Sequence, residues 1–361
     1  MSEIVAISPL FNDIDLDQAF VKQVNHWLAK EKIEARVQSF PYVDHNDPLR
    51  TILSYYQEPI NTLMTEGYFG FTSKAQYGYA DSKEILFLDV GSILGDNVVP
   101  QIAKAPLMAS THEIGRVLKK KVKPETKKII FTNVSNLAPD LGLGFLEELG
   151  IEFFNSTGKK IKISSGKIGQ IYSFSYEKMA KKWLGYEYLI LENDDKKIPL
   201  VGEGGISFTH QQLTGASPEI AKLLDRETLK AVNTFEKILG KRILYLEEAS
   251  VGNGFAFGCL SFFRNVTVKN QVDAFIELTN FGKDIEKSDY FIIPSYYESF
   301  RGLLNKSKKK TFLLQHEEDK IVYDNEMEIP THKIDADSFE FLLRQIQSVL
   351  KIFYFRSKKH C

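Results

Sequence analysis

The stretch KKIIFTNVSNLAPDLGLGFLEELG, residues 127–150, decides the fold, because an apolar strand passes through a polar loop into an amphipathic helix. Gly142 and Gly144 lie where the loop meets the helix. Glycine lets backbone amides approach an anion, and the N-terminus of a helix adds a favourable partial positive charge. This order of elements predicts an α/β protein with a candidate phosphate site in the loop.

The two ends of the chain carry the same kind of pattern. The segments EIVAIS (3–8) and EARVQSFPYV (34–43) are predicted strands, and the helical segment DLDQAFVKQVNHWLAKE (15–31) lies between them. A βαβ unit of this kind predicts parallel strands with a right-handed crossover. Near the other end, EKSDYFIIPS (286–295) is an apolar run typical of a strand buried in a parallel sheet.

The middle of the chain has a different composition and pattern. From about Thr62 it is rich in aromatic residues and short turns, which indicates a mixed sheet in another domain. We therefore predict an α/β protein of two domains. A Rossmann-like or flavodoxin-like parallel-sheet domain is built from residues 1–60 and 287–361, and a mixed α/β domain, residues 61–286, is inserted in it. Within the insertion, Ser217 and Gly240 are predicted to cap the clearest helix.

The composition of the chain argues against several classes of binding partner. Lys and Arg number 46 and Asp and Glu number 47, so the near-neutral chain argues against nucleic acid or an acidic membrane surface. The two cysteines offer neither a disulfide framework nor a metal-ligand spacing. We expect no metal-ligating cluster. The N-terminus enters a strand directly and no apolar run reaches about 20 residues, so we expect a cytoplasmic protein without a membrane span.

Three further segments resemble the bacterial glycerate kinase family. APLMASTHEIGRVL (105–118) is similar to the family's PL-x-x-TSYGVGELI, and IPLVGEGGISFTHQQLTGASPE (198–219) is similar to its NPLLGENGAS-x-x-x-GPQKGATPE. SDYFII (288–293) is similar to ADLVIT, and residues 127–150 fall where the family carries GIGGSATNDGGAGMLQALG. The resemblance extends over nearly the whole chain.

This resemblance implies an activity and a set of site residues. It implies ATP-dependent phosphoryl transfer to a hydroxyl of glycerate or a similar small hydroxy acid, with Mg²⁺, so that the partners are a nucleotide and a small organic acid. The carboxylates it implies for catalysis are Asp140, Asp195 and Asp44. The residues it implies around substrate or phosphate are Ser8, Ser135, Gly142, Gly144, Glu203, Gly205 and Glu298.

The sequence departs from the family's pattern at the glycine and charged positions that would bind phosphate. Asn133 and Val134 replace paired glycines, and Val134 cannot adopt a left-handed backbone without strain. The lysine of the family's first loop is missing here. Where the family carries TGEGRID, Glu298 is the only carboxylate that remains. A degenerate homologue that serves as a ligand-binding or regulatory module is therefore the alternative to an active kinase.

Overall fold

The computed structural model describes residues 3–7, 14–33, 35–39, 47–67, 71–192, 198–279, 290–294, 310–314, 320–321, 329–330 and 347. Its strands are β1 (Glu3–Ile7), β2 (Ala35–Ser39), β3 (Asn61–Glu66), β4 (Thr72–Ala80), β5 (Ile85–Asp89), β6 (Lys128–Thr132), β7 (Glu152–Phe154), β8 (Lys160–Ile161), β9 (Ser173–Ser175), β10 (Glu187–Glu192), β11 (Val266–Asn270), β12 (Tyr290–Pro294), β13 (Lys310–Leu314), β14 (Lys320–Ile321) and β15 (Ile329–Pro330). Its helices are α1 (Ile14–Lys30), α2 (Pro48–Tyr55), α3 (Gly91–Leu94), α4 (His112–Lys121), α5 (Leu143–Glu148), α6 (Ile206–Thr209), α7 (Gln211–Thr214), α8 (Pro218–Leu239), α9 (Phe255–Phe262) and α10 (Gln271–Leu278). Of the helices in these ranges, none combines the length and the apolar character that a membrane span requires.

One sheet joins the two ends of the chain. Its order is β13-β12-β1-β2, and every neighbouring pair is parallel. Counted along the chain, this is the order 2-1-3-4 that begins a flavodoxin-like doubly wound sheet. The parallel pairing agrees with the βαβ pattern of the sequence, since α1 supplies the crossover between β1 and β2.

Helix α1 forms because its apolar residues recur on one face. Phe20, Val24 and Leu28 from that face are almost completely buried. The Asn25 side chain adds a two-point attachment to β2, because its amide nitrogen donates to the Val37 carbonyl and its oxygen accepts from the Val37 N–H, both at 2.8 Å. Burial and this amide pair hold the helix against the strand that follows it.

The second large sheet is mixed, as the aromatic residues and short turns of the middle segment predicted. Its order is β11-β10-β6-β5-β4-β3, in which β11, β10, β6 and β5 run parallel and β4 and β3 are antiparallel additions. Strands β5 and β6 lie in the middle and are almost entirely apolar and buried. This sheet forms the centre of a large hydrophobic core.

The chain divides into two compact units with boundaries that differ from the predicted ones. One unit comprises residues 1–43 and 275–361, and the other comprises residues 44–274. Predicted boundaries after residues 60 and 286 assign α2 to the terminal domain, whereas α2 lies in the middle unit. The reason is packing, because the buried Leu53 of α2 fills the space over Gly78 of β4.

Helix α8 shows how local sequence sets the limits of an element. The Ser217 side chain accepts a hydrogen bond from the Ile220 N–H at 3.3 Å, and Pro218 occupies the first turn. At the other end, Gly240 takes a left-handed conformation with φ of 64° and donates to the Glu236 carbonyl. Both predicted caps are confirmed.

Candidate functional site

The carboxyl ends of four parallel strands meet at one edge of the mixed sheet. Helix α3 follows β5 directly, and residues 133–142 lead from β6 to α5. Ligands of open α/β sheets bind outside the carboxyl ends of the strands. The glycine-bearing loop predicted from the sequence therefore lies at the edge where a ligand site is expected.

The loop after β6 turns through left-handed residues at both of its ends. Asn133 has φ of 48° and Leu141 has φ of 60°, although neither is glycine. Asparagine tolerates this conformation better than other residues, whereas leucine is strained by roughly 1–2 kcal/mol. Val134 does not adopt it, so the replacement of a glycine by valine costs no strain at that position. Ser135, predicted to bind phosphate, is exposed on this loop.

Asp140 is the centre of a buried hydrogen-bond cluster. Its Oδ2 accepts from Ser110 Oγ (2.9 Å), the Thr111 N–H (2.7 Å) and the Gly144 N–H (3.1 Å), while Oδ1 accepts from the Gly142 N–H (3.0 Å). Thr111 Oγ1 also donates to this carboxylate and accepts from the Phe145 N–H. Complete burial raises the pKa of Asp140, and the donors of Thr111 and Ser110 act in the opposite direction.

These contacts are those of a helix cap. The Asp140 carboxylate and the Thr111 hydroxyl together satisfy amides at the start of α5 that would otherwise have no partner. The catalytic role suggested for Asp140 stays a prediction, and every contact described above is internal to the protein.

The two glycines of the loop lie in close backbone packing. A Cβ on Gly142 would lie 2.7 Å from the Phe255 carbonyl oxygen, and φ of 70° at Gly142 also favours glycine. A Cβ on Gly144 would overlap Ser110 Oγ and come within 2.7 Å of the Asp140 carboxylate. Both glycines allow the loop to approach its neighbours, and their predicted contact with phosphate stays a prediction.

Two of the remaining predicted residues precede helix α6 in the chain. Glu203 is exposed in a turn whose Gly202 has φ of 93°, and Gly205 begins the short helix α6 with its backbone packed on Val201. The structure therefore does not bring Glu203 into the Asp140 cluster. Four predicted residues lie outside the described part of the chain, namely Ser8, Asp44, Asp195 and Glu298.

Asp89, which the sequence prediction missed, lies at the carboxyl end of the central strand β5. It is only 4% exposed, and its Oδ1 accepts from the Ser92 N–H at 2.6 Å. Burial raises the pKa of Asp89 to about 6, the nearby Asp47 carboxylate acts in the same direction, and hydrogen bonds from Ser92 and Asn133 oppose them. A carboxyl group that titrates near neutral pH is suited to general acid–base chemistry.

Asp89 has polar neighbours from the next strand. It is paired in register with Thr132, the last residue of β6, and Asn133 donates to it. A Cβ on Gly91 would overlap the Asn133 amide, so a larger residue there requires the Asn133 side chain to move away. Among the described residues, the buried Thr132 hydroxyl has no hydrogen-bond partner. An acidic residue that ends an apolar run just before a helix, as in ILFLDVG (85–91), is the sequence signal that could have identified this site.

A third polar arrangement lies at the start of α4. His112 Nδ1 is 2.6 Å from Ser110 Oγ, and its Nε2 is 2.6 Å from Glu147 Oε2. The same Glu147 oxygen accepts from the Ile163 N–H at 2.9 Å. Although burial acts to raise it, the contacts from His112 and Ile163 lower the pKa of Glu147. This imidazole is therefore held at both nitrogens, and Ser110 links it to Asp140.

Known proteins similar to this chain are glycerate kinases. The relative from Halalkalibacterium halodurans is 23% identical over 259 residues, which is 72% of this chain and 67% of the relative. The one from Bacillus cereus is 25% identical over 220 residues, 61% of this chain and 57% of the relative. The chain thus aligns with about three-fifths to two-thirds of the length of these relatives.

The fold also has a solved counterpart. The crystal structure of a protein named glycerate kinase 2 from Salmonella typhimurium LT2 superposes with a TM-score of 0.79 at 15% identity, covering 97% of this chain and 98% of that one. This likeness shows a shared mixed α/β fold. The sequence profile of the glycerate kinase family matches residues 18–294, which is most of the chain. The chain therefore belongs to the glycerate kinase family.

Proposed function

We propose that this protein transfers the terminal phosphoryl group of ATP to a hydroxyl of glycerate or a similar small hydroxy acid. Family membership and the names of the relatives support the kinase class. The observation that carries the proposal within this chain is Asp89, a buried carboxyl group with a raised pKa at the carboxyl end of β5. In this role Asp89 accepts the proton of the acceptor hydroxyl as phosphorus is attacked.

Phosphoryl transfer also requires neutralisation of phosphate charge. Among the described residues, no group of three or more His, Cys, Asp or Glu side chains could hold a metal ion. Mg²⁺ is usually held by one or two carboxylates together with the nucleotide's phosphates. The proposal therefore has the metal enter with ATP, and Asp44 and Asp195 remain the carboxylates proposed by family resemblance to meet it.

The alternative is a family member that binds a ligand without catalysis. It is favoured by the loop after β6, where Asn133 and Val134 stand at the positions of family glycines and Asp140 is engaged by the protein itself. Loss of a single electrostatic contact costs roughly 3 kcal/mol of barrier, about a hundredfold in rate. Several losses would leave a protein that binds an organic acid or nucleotide and regulates another process.

An ADP-release assay separates the two functions. The purified full-length protein is given ATP, Mg²⁺ and D-glycerate, and it is compared with Asp89→Asn and with Glu125→Gln, an exposed control carboxylate. The kinase proposal predicts turnover in the native protein and in Glu125→Gln, with a loss of about a hundredfold or more in Asp89→Asn.

The possible results of this assay distinguish the kinase from the non-catalytic alternative and test Asp89 separately. If the native protein releases no ADP and ATP does not shift its melting temperature, the kinase proposal is wrong and a non-catalytic role is favoured. Turnover that survives in Asp89→Asn would leave the kinase class intact and remove Asp89 as the base.

A further inference from the structure

Asn133, the first residue after β6, has a backbone conformation that few residues other than glycine adopt. Its φ is 48°, in the left-handed region, where asparagine is enriched over most other non-glycine residues. The carbonyl of the preceding Thr132 accepts from the Val90 N–H at 3.0 Å, so the ends of β5 and β6 stay joined up to this point. The turn at Asn133 is therefore anchored beside the carboxyl end of β5.

The side chain of Asn133 lies over the turn between β5 and α3. A Cβ on Gly91 would overlap Asn133 Nδ2 and lie 2.6 Å from Asn133 Cγ, so the amide fills the space that Gly91 leaves without a side chain. The φ of Gly91 is not positive, so its backbone would accept alanine and the neighbouring amide is what leaves no room for it. The two residues are thus complementary in size across the ends of two strands.

The Asp89 carboxylate receives hydrogen bonds from two different elements. The Ser92 N–H of α3 donates to Oδ1 at 2.6 Å, and the Asn133 amide donates from the end of β6. Burial raises the pKa of Asp89, and both donors act against that rise. A carboxylate held by donors on two sides keeps one orientation, which is what a group that must meet a reacting proton requires.

The charged group that acts most strongly on Asp89 is the Asp47 carboxylate, just before α2. Asp47 accepts from the Arg50 N–H at 3.0 Å and from Arg50 Nε at 2.8 Å, and the Arg50 side chain is largely exposed. A cation beside Asp89 would lower its pKa strongly, whereas the neutral amide of Asn133 adds a donor without a charge. An uncharged donor therefore leaves Asp89 in the pKa range that suits a general base.

We propose that Asn133 is a positioning residue for Asp89, and that its left-handed backbone and the bare Gly91 together place the amide where it holds the carboxylate in one orientation. This inference deepens the proposed function and rests on it, because it treats Asp89 as the proton acceptor. Asn133 stands where the family carries a glycine. The replacement therefore adds a contact to the site, in addition to removing a glycine from the loop.

The pH dependence of kcat/KM for ADP release by the full-length protein tests this role. Asn133→Gly keeps the backbone conformation and removes the amide, and Ser82→Gly is the matched control, because Ser82 is an exposed left-handed residue before the opposite end of β5. The native protein and Ser82→Gly should lose activity as pH falls through about 6. In Asn133→Gly this loss should begin about one pH unit higher, since a hydrogen bond to a charged group is missing, so that activity at pH 5 is about tenfold below native.

Urea unfolding at pH 4 and pH 8 measures the same contact without catalysis. The stability of Asp89→Asn relative to the native protein should rise between these pH values, because ionisation of a group with a raised pKa destabilises the folded state. With Asn133→Gly in both proteins, the folded carboxyl group binds its proton more tightly and this rise should be larger by about half. A purely structural role for Asn133 would lower stability equally at both pH values.

Gly91→Ala tests where the amide lies. Alanine should lower the urea midpoint of the native protein, because its methyl group overlaps the Asn133 amide, and it should cost much less in Asn133→Gly, where that amide is absent. Equal losses in the two backgrounds would overturn the placement of the amide.

The results separate this inference from the proposed function. Turnover with the same pH profile in Asn133→Gly and Ser82→Gly would support the kinase and refute the positioning role. If no variant releases ADP, the kinase is wrong, and a larger pH-dependent rise with Asn133→Gly would still support the contact with Asp89. An unchanged rise would refute that contact as well.

Discussion

Replacing Asp89 by asparagine tests the burial that underlies the proposed site. The pKa of Asp89 is raised from its ordinary 3.8 to about 6. The native protein therefore holds this proton more tightly than the unfolded chain does. The contribution of this group to stability is present at low pH and is lost as pH rises from about 4 through 6.

The size of the effect follows from the difference between the pKa of Asp89 in the native protein and its ordinary value. A difference of about two pKa units, at about 1.36 kcal/mol per unit, destabilises the native protein by about 3 kcal/mol once the group is ionised in both states. Roughly 2 kcal/mol of this falls between pH 4 and pH 8. Asparagine keeps the shape and the acceptor for the Ser92 N–H but cannot ionise. The stability of Asp89→Asn relative to the native protein should therefore rise by about 2 kcal/mol between pH 4 and pH 8.

The assay is urea unfolding at pH 4, 5, 6, 7 and 8, followed by circular dichroism, for the native protein, Asp89→Asn and the surface variant Glu125→Gln. The free-energy difference between Glu125→Gln and the native protein should change little with pH, because Glu125 is exposed. A difference for Asp89→Asn that is flat with pH, or that falls as pH rises, would refute the argument from burial. Greater stability at pH 8 together with lost turnover would mark a group kept for function at a cost in stability.

Three other substitutions test the packing around the site and the local signals of the sequence. Asp140→Ala leaves several buried amides without an acceptor and should lower the free energy of unfolding by about 3 kcal/mol or more. Asp225→Ala removes from α8 the acceptor of the Gly202 N–H in an exposed turn, and it should cost under about 1 kcal/mol in the same urea titration. Gly144→Ala places a methyl group against the buried cluster and should cost at least about 1–3 kcal/mol, while Gly204→Ala, with open space around it, should be nearly neutral; equal melting temperatures for the two would contradict the packing. Ser217→Ala removes the cap of α8 and should cost about 1 kcal/mol, and an unchanged urea midpoint would show that this cap does not contribute.

Much of the fold was predictable because its signals are local. The limits of α8 follow from Ser217, Pro218 and Gly240, whose effects act within one turn of the helix. Alternation between apolar runs and amphipathic segments placed β1, α1, β2, β6 and β12, and the βαβ order predicted their parallel pairing. The family resemblance rested on spaced motifs in the same way, and the profile match over residues 18–294 confirms it.

The site was harder to predict because its properties depend on residues far apart in the chain. The family resemblance implied a catalytic role for Asp140, and only the structure shows that Ser110 and Thr111, from a segment about 30 residues earlier, donate to its carboxylate. Asp89 looked like an ordinary strand end, and only its burial, together with the nearby Asp47 carboxylate, raises its pKa toward neutrality. The sequence predicted that Gly142 and Gly144 contact phosphate, and only the structure shows how closely their backbone packs on Phe255 and Ser110.

The sequence by itself determined the family, the parallel sheet made by both chain ends and the caps of α8, because propensity, periodicity and capping act over a few residues. Tertiary structure alone decided that Asp89 is buried with a raised pKa and that the Asp140 carboxylate accepts hydrogen bonds from amides at the start of α5. Desolvation and hydrogen bonding depend on distances between segments, and folding sets those distances.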